Sequence, residues 1–205
     1  MWCQFTPRFA LALELKEHDG SSKWNLMVRL IATRKVLERL ATTPTREPGD
    51  SGTALGDWYV NRVVVNRHPL LVLVSSASLL PIVEPARHVQ QLPSRLPTLV
   101  EGRLHRLGVM QQLIQTEVSA MDPVLVDKTS DRSVLGILTE FCRMLPYYLP
   151  QGQWSSEELA RVADRLGETP CHAGRRNSVW PNQRANELLW RHWSSILALD
   201  RTLPK

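Results

Sequence analysis

Residues 58–76, WYVNRVVVNRHPLLVLVSS, constrain the fold more than any other stretch of the chain. The run 58–65 is dominated by β-branched and aromatic residues, which favour a pleated, half-buried strand. Its period of two puts Trp58, Val60, Arg62 and Val64 on one face. Tyr59, Asn61, Val63 and Val65 take the other. The polar break NRHP, 66–69, reads as a turn, and 70–74 returns as the partner strand. Two Asn-Arg pairs interrupt this hairpin, at 61–62 and 66–67. On a sheet with one buried face, Asn61 and Arg62 point to opposite sides. One of them then lies beside apolar neighbours or under a helix, where a polar group is costly unless paired.

Around the hairpin, the periodicity predicts a strand at 28–32 and a helix at 34–40 that Thr33 can cap. The stretch 42–56, rich in Pro, Gly, Ser and Thr, reads as a loop. A third strand follows at 79–84, and Pro81, which cannot donate to a ladder, makes it an edge. Helices are predicted at 99–107 and 109–120, parted at Gly108, after a region broken by Pro93 and Pro97. The segment 123–127 is a short strand. Ser130 or Asp131 then caps a helix whose apolar stripe runs from Val134 to Leu145 and stops at Pro146. Ser155 and Glu158 form a capping box, Gly167 closes that helix, and Pro181 opens a last one through Leu199. Trp190 and Trp193, three apart, share a face of it. The expected fold is α+β: a small, mostly antiparallel sheet of about four strands packed against helices, with a helical C-terminal part.

Residues 1–26 do not match the remainder of the chain. They are expected to be an N-terminal extension, with Met27 of MVRLIATRKVLERL an equally good start, and 27–205 a single domain. The 205 residues can bury a core without staples. A net charge of +5 leans weakly toward acidic partners, and no block of basic residues forms a tail. Three widely spaced cysteines lack zinc-ligand or C-x-x-C spacing, so reduced thiols in a cytoplasm are expected, with no metal and no cofactor. No apolar run is long enough to span a membrane.

Three places could carry chemistry. In KTSDRS, 128–133, a strand runs into a helix start, where free N–H groups and the helix dipole can hold an anion beside Lys128 and Arg132. Ordinary capping, with Arg132 paired to a carboxylate, is the preferred reading there. The second place is the hairpin: either Asn61 bonds a neighbouring backbone and Arg62 is solvated, which is preferred, or Tyr59, Asn61, Asn66, Arg67 and His68 floor a polar pocket. The third, Cys171-His172, reads as a packed cysteine, because adjacent strand residues point apart. The sequence holds no H-E-x-x-H, G-x-S-x-G, Walker or dinucleotide fingerprint, so an enzyme reading has no reaction attached.

IATRKVLERL at 31–40, WYVNRVVVNRHPLLVLV at 58–74, LLPIVEPAR at 79–87, DKTSDRSVLGILTEFCRMLPYYL at 127–149 and LGETPC at 166–171 line up together with one family. Over about residues 27–190 the chain resembles the bacterial domain-of-unknown-function family six-nine-three-three. Tyr59-Val60 and His68-Pro69 depart from it, standing where the family often has His-Ala and Arg-Lys. The resemblance implies a plasmid-borne or mobile-element setting and no established reaction. It also implies that Trp58, Asn61, Asn66, Arg67, Thr129, Arg132 and Ser133 occupy motif positions. With Lys128 they are expected to converge on one polar, anion-binding site, which Thr33 and Lys35 can join. The leading expectation is a non-enzymatic binding or regulatory module with nucleic acid as its partner. The alternatives are a protein-interaction partner and an enzyme acting on a phosphate-bearing substrate.

Overall fold

The computed structural model describes residues 27–45, 51–129, 131–172 and 178–202, with side chains up to residue 194. The N-terminal extension and Ser130 lie outside the described residues. Five strands form one sheet in the order β4-β3-β2-β1-β5. They are β1 Val28–Ala32, β2 Trp58–Val65, β3 His68–Ser75, β4 Pro81–Pro85 and β5 Val124–Lys128. The helices are α1 Arg34–Leu40, α2 Leu92–Arg106, α3 Gln111–Ser119, α4 Arg132–Tyr148, α5 Ser156–Gly167 and α6 Pro181–Thr202. A 3-10 turn, Ala86–Gln91, precedes α2.

The fold is α+β, as expected, but the sheet has five strands rather than four and is mixed. β2, β3 and β4 pair antiparallel, whereas β1 runs parallel to both β2 and β5. Parallel pairing needs long crossovers. α1 with its following loop supplies the first, and α2 with α3 carries the chain from β4 to the far edge.

Both faces of the sheet are covered, which corrects the one-faced expectation. Leu30, Trp58, Val60, Leu71 and Leu73 pack with α1, α2, α3 and Trp193 of α6. Ile31, Tyr59, Val72, Val74 and Val83 pack with α4 and α5. This is why β1 and β3 read as nearly unbroken apolar runs: a strand with two buried faces has no solvent side to alternate with.

The hairpin turn is tighter than NRHP suggested. His68 already pairs with Val65, leaving Asn66 and Arg67 at φ 46° and 70°. Two left-handed residues in a two-residue loop match the right-handed twist of the strands. Arg67→Gly should therefore stabilise the protein by about 1 kcal/mol, since a side chain at that φ is strained. A lower denaturation midpoint in the variant would refute this.

Prolines are better tolerated than the pattern implied. Pro93 falls in the first turn of α2, where its missing N–H costs nothing, and Pro97 removes one bond near the same end. α4 likewise runs past Pro146 to Tyr148. In α6, Trp193 is buried but Trp190 is 45% exposed, so the two do not share a buried face. The capping box of Ser155 and Glu158 is present as predicted. No described helix is long and apolar enough to cross a membrane.

Three charged side chains are buried among the described residues: Asp57, which accepts from Arg29, and Arg103 and Glu117, which join several elements. Arg103 of α2 donates to the carbonyls of Pro81 (3.0 Å) and Ala163 (3.3 Å), to Asn182 Oδ1 (2.7 Å) and to Asp164 (2.6 Å). Burial pushes its pKa down to about 10, so it keeps its charge at neutral pH. Glu117 of α3 accepts the N–H groups of Ala54 (2.8 Å) and Leu55 (2.9 Å) and the indole N–H of Trp193 (2.7 Å).

Candidate functional site

The structure divides the eight sequence-predicted residues among four places. Trp58 lies in the core, 1% exposed, and is out of a ligand's reach. Asn61, on the face under α4, accepts the Thr33 hydroxyl (3.0 Å) and the N–H of Arg62 (2.9 Å) and donates to Cys142 Sγ (3.7 Å). Its bond to a neighbouring backbone is the plainer of the two sequence readings. Thr33 makes no side-chain cap for α1, because its hydroxyl is committed to Asn61.

Asn66 and Arg67 are exposed at the hairpin tip. Asn66 donates to the carbonyl of Pro150, just past the carboxyl end of α4 (3.4 Å). Arg132 and Ser133 open the same helix at its other end. Seventeen residues separate the two ends, a rise of about 25 Å. The hairpin tip and the KTSDRS helix start are therefore two separate surfaces.

At that helix start, Lys128, Thr129, Arg132 and Ser133 sit where β1 and β5 end side by side. The chain leaves β1 toward one face and β5 toward the other, the kind of switch point at which open sheets take ligands. Two carboxylates occupy it. Asp131 accepts the Ser133 N–H (2.7 Å), capping α4, and Asp127 accepts the Lys128 N–H (2.6 Å). An incoming anion would face both.

The hairpin end is different. A groove of about 830 Å³ is floored by Arg62 and Pro69. Its walls are the last turn of α1, with Glu38 and Arg39, and the 3-10 turn, with Arg87 and His88. Its volume falls in the usual range for ligand sites. Among the described residues, Arg39, Arg62 and Arg87 take part in no ion pair. Glu38 is paired with Arg34 at 2.9 Å. Glu84, whose pKa burial raises, is the countercharge felt by Arg87 and His88, and it is paired with Arg95 at 3.4 Å. Among the described residues, both nearby carboxylates thus have a guanidinium of their own, which leaves the groove a positive excess.

A second cavity, of about 380 Å³, lies on the opposite side of the same end. His68, Leu70, Trp154, Ser155 and Leu159 line it, and Pro69 and Arg87 line both cavities. The rings of His68 and Trp154 meet edge to face at 5.5 Å. The sequence reading missed Arg39, Arg87, His88 and Trp154. Arg87-His88, just past Pro85 and Ala86, was the available signal, since a basic pair after a strand end projects past the sheet.

The two described cysteines are chemically quiet. Burial pushes the thiols of Cys142 and Cys171 up to about 11, far from a reactive thiolate at neutral pH. His172, next to Cys171, bonds Ser178 Oγ instead (2.8 Å). Among the described residues, no three His, Cys, Asp or Glu side chains group closely enough to hold a metal ion.

Compared with known proteins, residues 29–184 match the family model "Domain of unknown function (DUF6933)". The chain belongs to that family. The match spans all five strands and α1 to α5, so the DUF6933 unit includes both cavities. No curated protein and no solved structure matches the chain.

Proposed function

We propose that this DUF6933 protein is a non-enzymatic binding module for nucleic acid, held through its phosphates in the groove at the hairpin end. The observation that carries this is the groove itself, lined by Arg39, Arg62 and Arg87, beside which the carboxylates of Glu38 and Glu84 are already paired among the described residues. Guanidinium groups suit phosphate because they are always charged and donate in a planar fork. The separation of the predicted polar residues onto distant surfaces weighs against an enzyme of the phosphate-substrate kind. A bacterial, cytoplasmic, mobile-element setting is part of the proposal, in keeping with the family resemblance.

The test is fluorescence anisotropy of the nuclease-treated protein with labelled DNA and RNA across a salt series. Affinity is expected to fall steeply with salt. Arg39→Ala, Arg62→Ala and Arg87→Ala should each weaken binding for every sequence and lower the salt slope by about one. Arg132→Ala, at the far end of α4, should change neither. Absence of binding at low salt would overturn the reading. The exposed Tyr147 (88%), Trp180 (45%) and Trp190 (45%) would then make a protein partner the better one.

A further inference from the structure

We propose that the groove and the smaller cavity together select single-stranded over duplex nucleic acid, with one base in the pocket of His68 and Trp154. This rests on the nucleic-acid reading above and names its substrate class. Pro69 and Arg87 line both cavities, so the two adjoin at the outer end of β3 and β4, and a strand passing over these residues would follow one path. The two halves of the path differ in chemistry. The groove offers cations for a sugar-phosphate backbone. The pocket offers two rings, the apolar walls Leu70, Pro85 and Leu159, and the polar groups of Gln153, Ser155 and Ser156. Flat apolar surface with a few polar atoms suits a nucleobase, and a cationic track leading away from it suits the adjoining phosphates. A duplex keeps its bases stacked inside and presents phosphate alone, so it can fill the groove but not the pocket unless a base is extruded.

Trp154 is held for this. Its indole N–H donates to the Pro150 carbonyl (2.9 Å), and its ring leans on the core under α4 and α5 while remaining half-exposed. Neither contact is with Arg39 or Arg62, and Arg87 is the groove cation that also lines this pocket, so changing Trp154 leaves Arg39 and Arg62 in place.

The experiment compares a labelled single strand with the duplex of the same sequence, as DNA and as RNA, on the full chain. The single strand should bind at least ten-fold tighter. Trp154→Leu, which keeps apolar bulk but removes the aromatic face, should erase that preference by lowering single-strand affinity at least ten-fold, with a far smaller change for duplex. Arg62→Ala should weaken both. The DNA and RNA arms separate the two sources of the shared chemistry. Photocrosslinking of wild-type protein to a strand carrying a halogenated pyrimidine provides a readout independent of variant folding, with Trp154 or His68 as the expected crosslinked residue. Equal binding of single strand and duplex, or a crosslink mapping away from this pocket, would overturn the inference while the phosphate groove stood. If neither form binds, both fall.

Discussion

Arg103→Met will lower stability by about 3 kcal/mol. The side chain ties α2 to the Pro81 carbonyl on the edge strand, to Ala163 and Asp164 on α5, and to Asn182 on α6. Methionine retains the apolar stem but leaves the acceptors of Pro81 and Asn182 without the Arg103 donor, while the Ala163 carbonyl keeps only its bond within α5. Asp164 loses less, because it is partly exposed and also bonds Arg106. Arg106→Met, at a more exposed pair, should cost under about 1 kcal/mol. Gly167→Ala attacks the same network from outside, since a Cβ there would overlap the Asn182 amide. That amide is fixed at both ends, by Arg103 and by the Asp164 carbonyl. Chemical denaturation with a common m-value measures all three. An Arg103→Met loss no larger than that of Arg106→Met would show that the buried network does not hold these elements together.

Glu117→Ala should cost on the order of 3–5 kcal/mol, because it strands three buried N–H donors at once. Two belong to the turn at Ala54 and Leu55 and one to Trp193, so a single carboxylate fastens the loop before β2 to the C-terminal helix. Glu117→Gln is not a conservative change here, since its amide NH2 would face donors with nothing to accept it. Burial raises the Glu117 pKa and the three donors pull it back, with burial the larger effect. A carboxyl raised in the folded state contributes most where both states are protonated. As pH climbs above the ordinary range, the unfolded chain ionises first and that contribution falls. The gap between wild type and Glu117→Gln should therefore narrow from about pH 4 toward neutrality. A gap that widened over this interval would show that the hydrogen bonds outweigh burial.

Both residues left a trace in the sequence. Arg103 sits in the stripe of Leu96, Val100 and Leu104, and Glu117 follows Leu113 and Ile114 at helical spacing. A charge in the middle of an apolar stripe must be buried with partners or forced outward, and periodicity by itself does not say which. Their partners lie between 22 and 79 residues away. Local pattern carries no information at that range.

Local chemistry did determine the elements: the hairpin, the edge position of the strand at Pro81, the Ser155–Glu158 box and the stripe of α4 arise from side-chain shape, ring constraints and hydrogen-bonding groups within a few residues. The family was legible too, since its motifs are runs of sequence. Tertiary structure alone decided that β1 sits between two parallel neighbours, which required α2 and α3 to carry the chain from one edge of the sheet to the other. It placed a helix between the two polar motifs that the sequence had invited into one site. It also gathered Arg39, Arg62 and Arg87, from a helix, a strand and a turn, around one groove. Charges converge across such distances only when the packing of both sheet faces fixes where each element ends, and that packing is a property of the whole core.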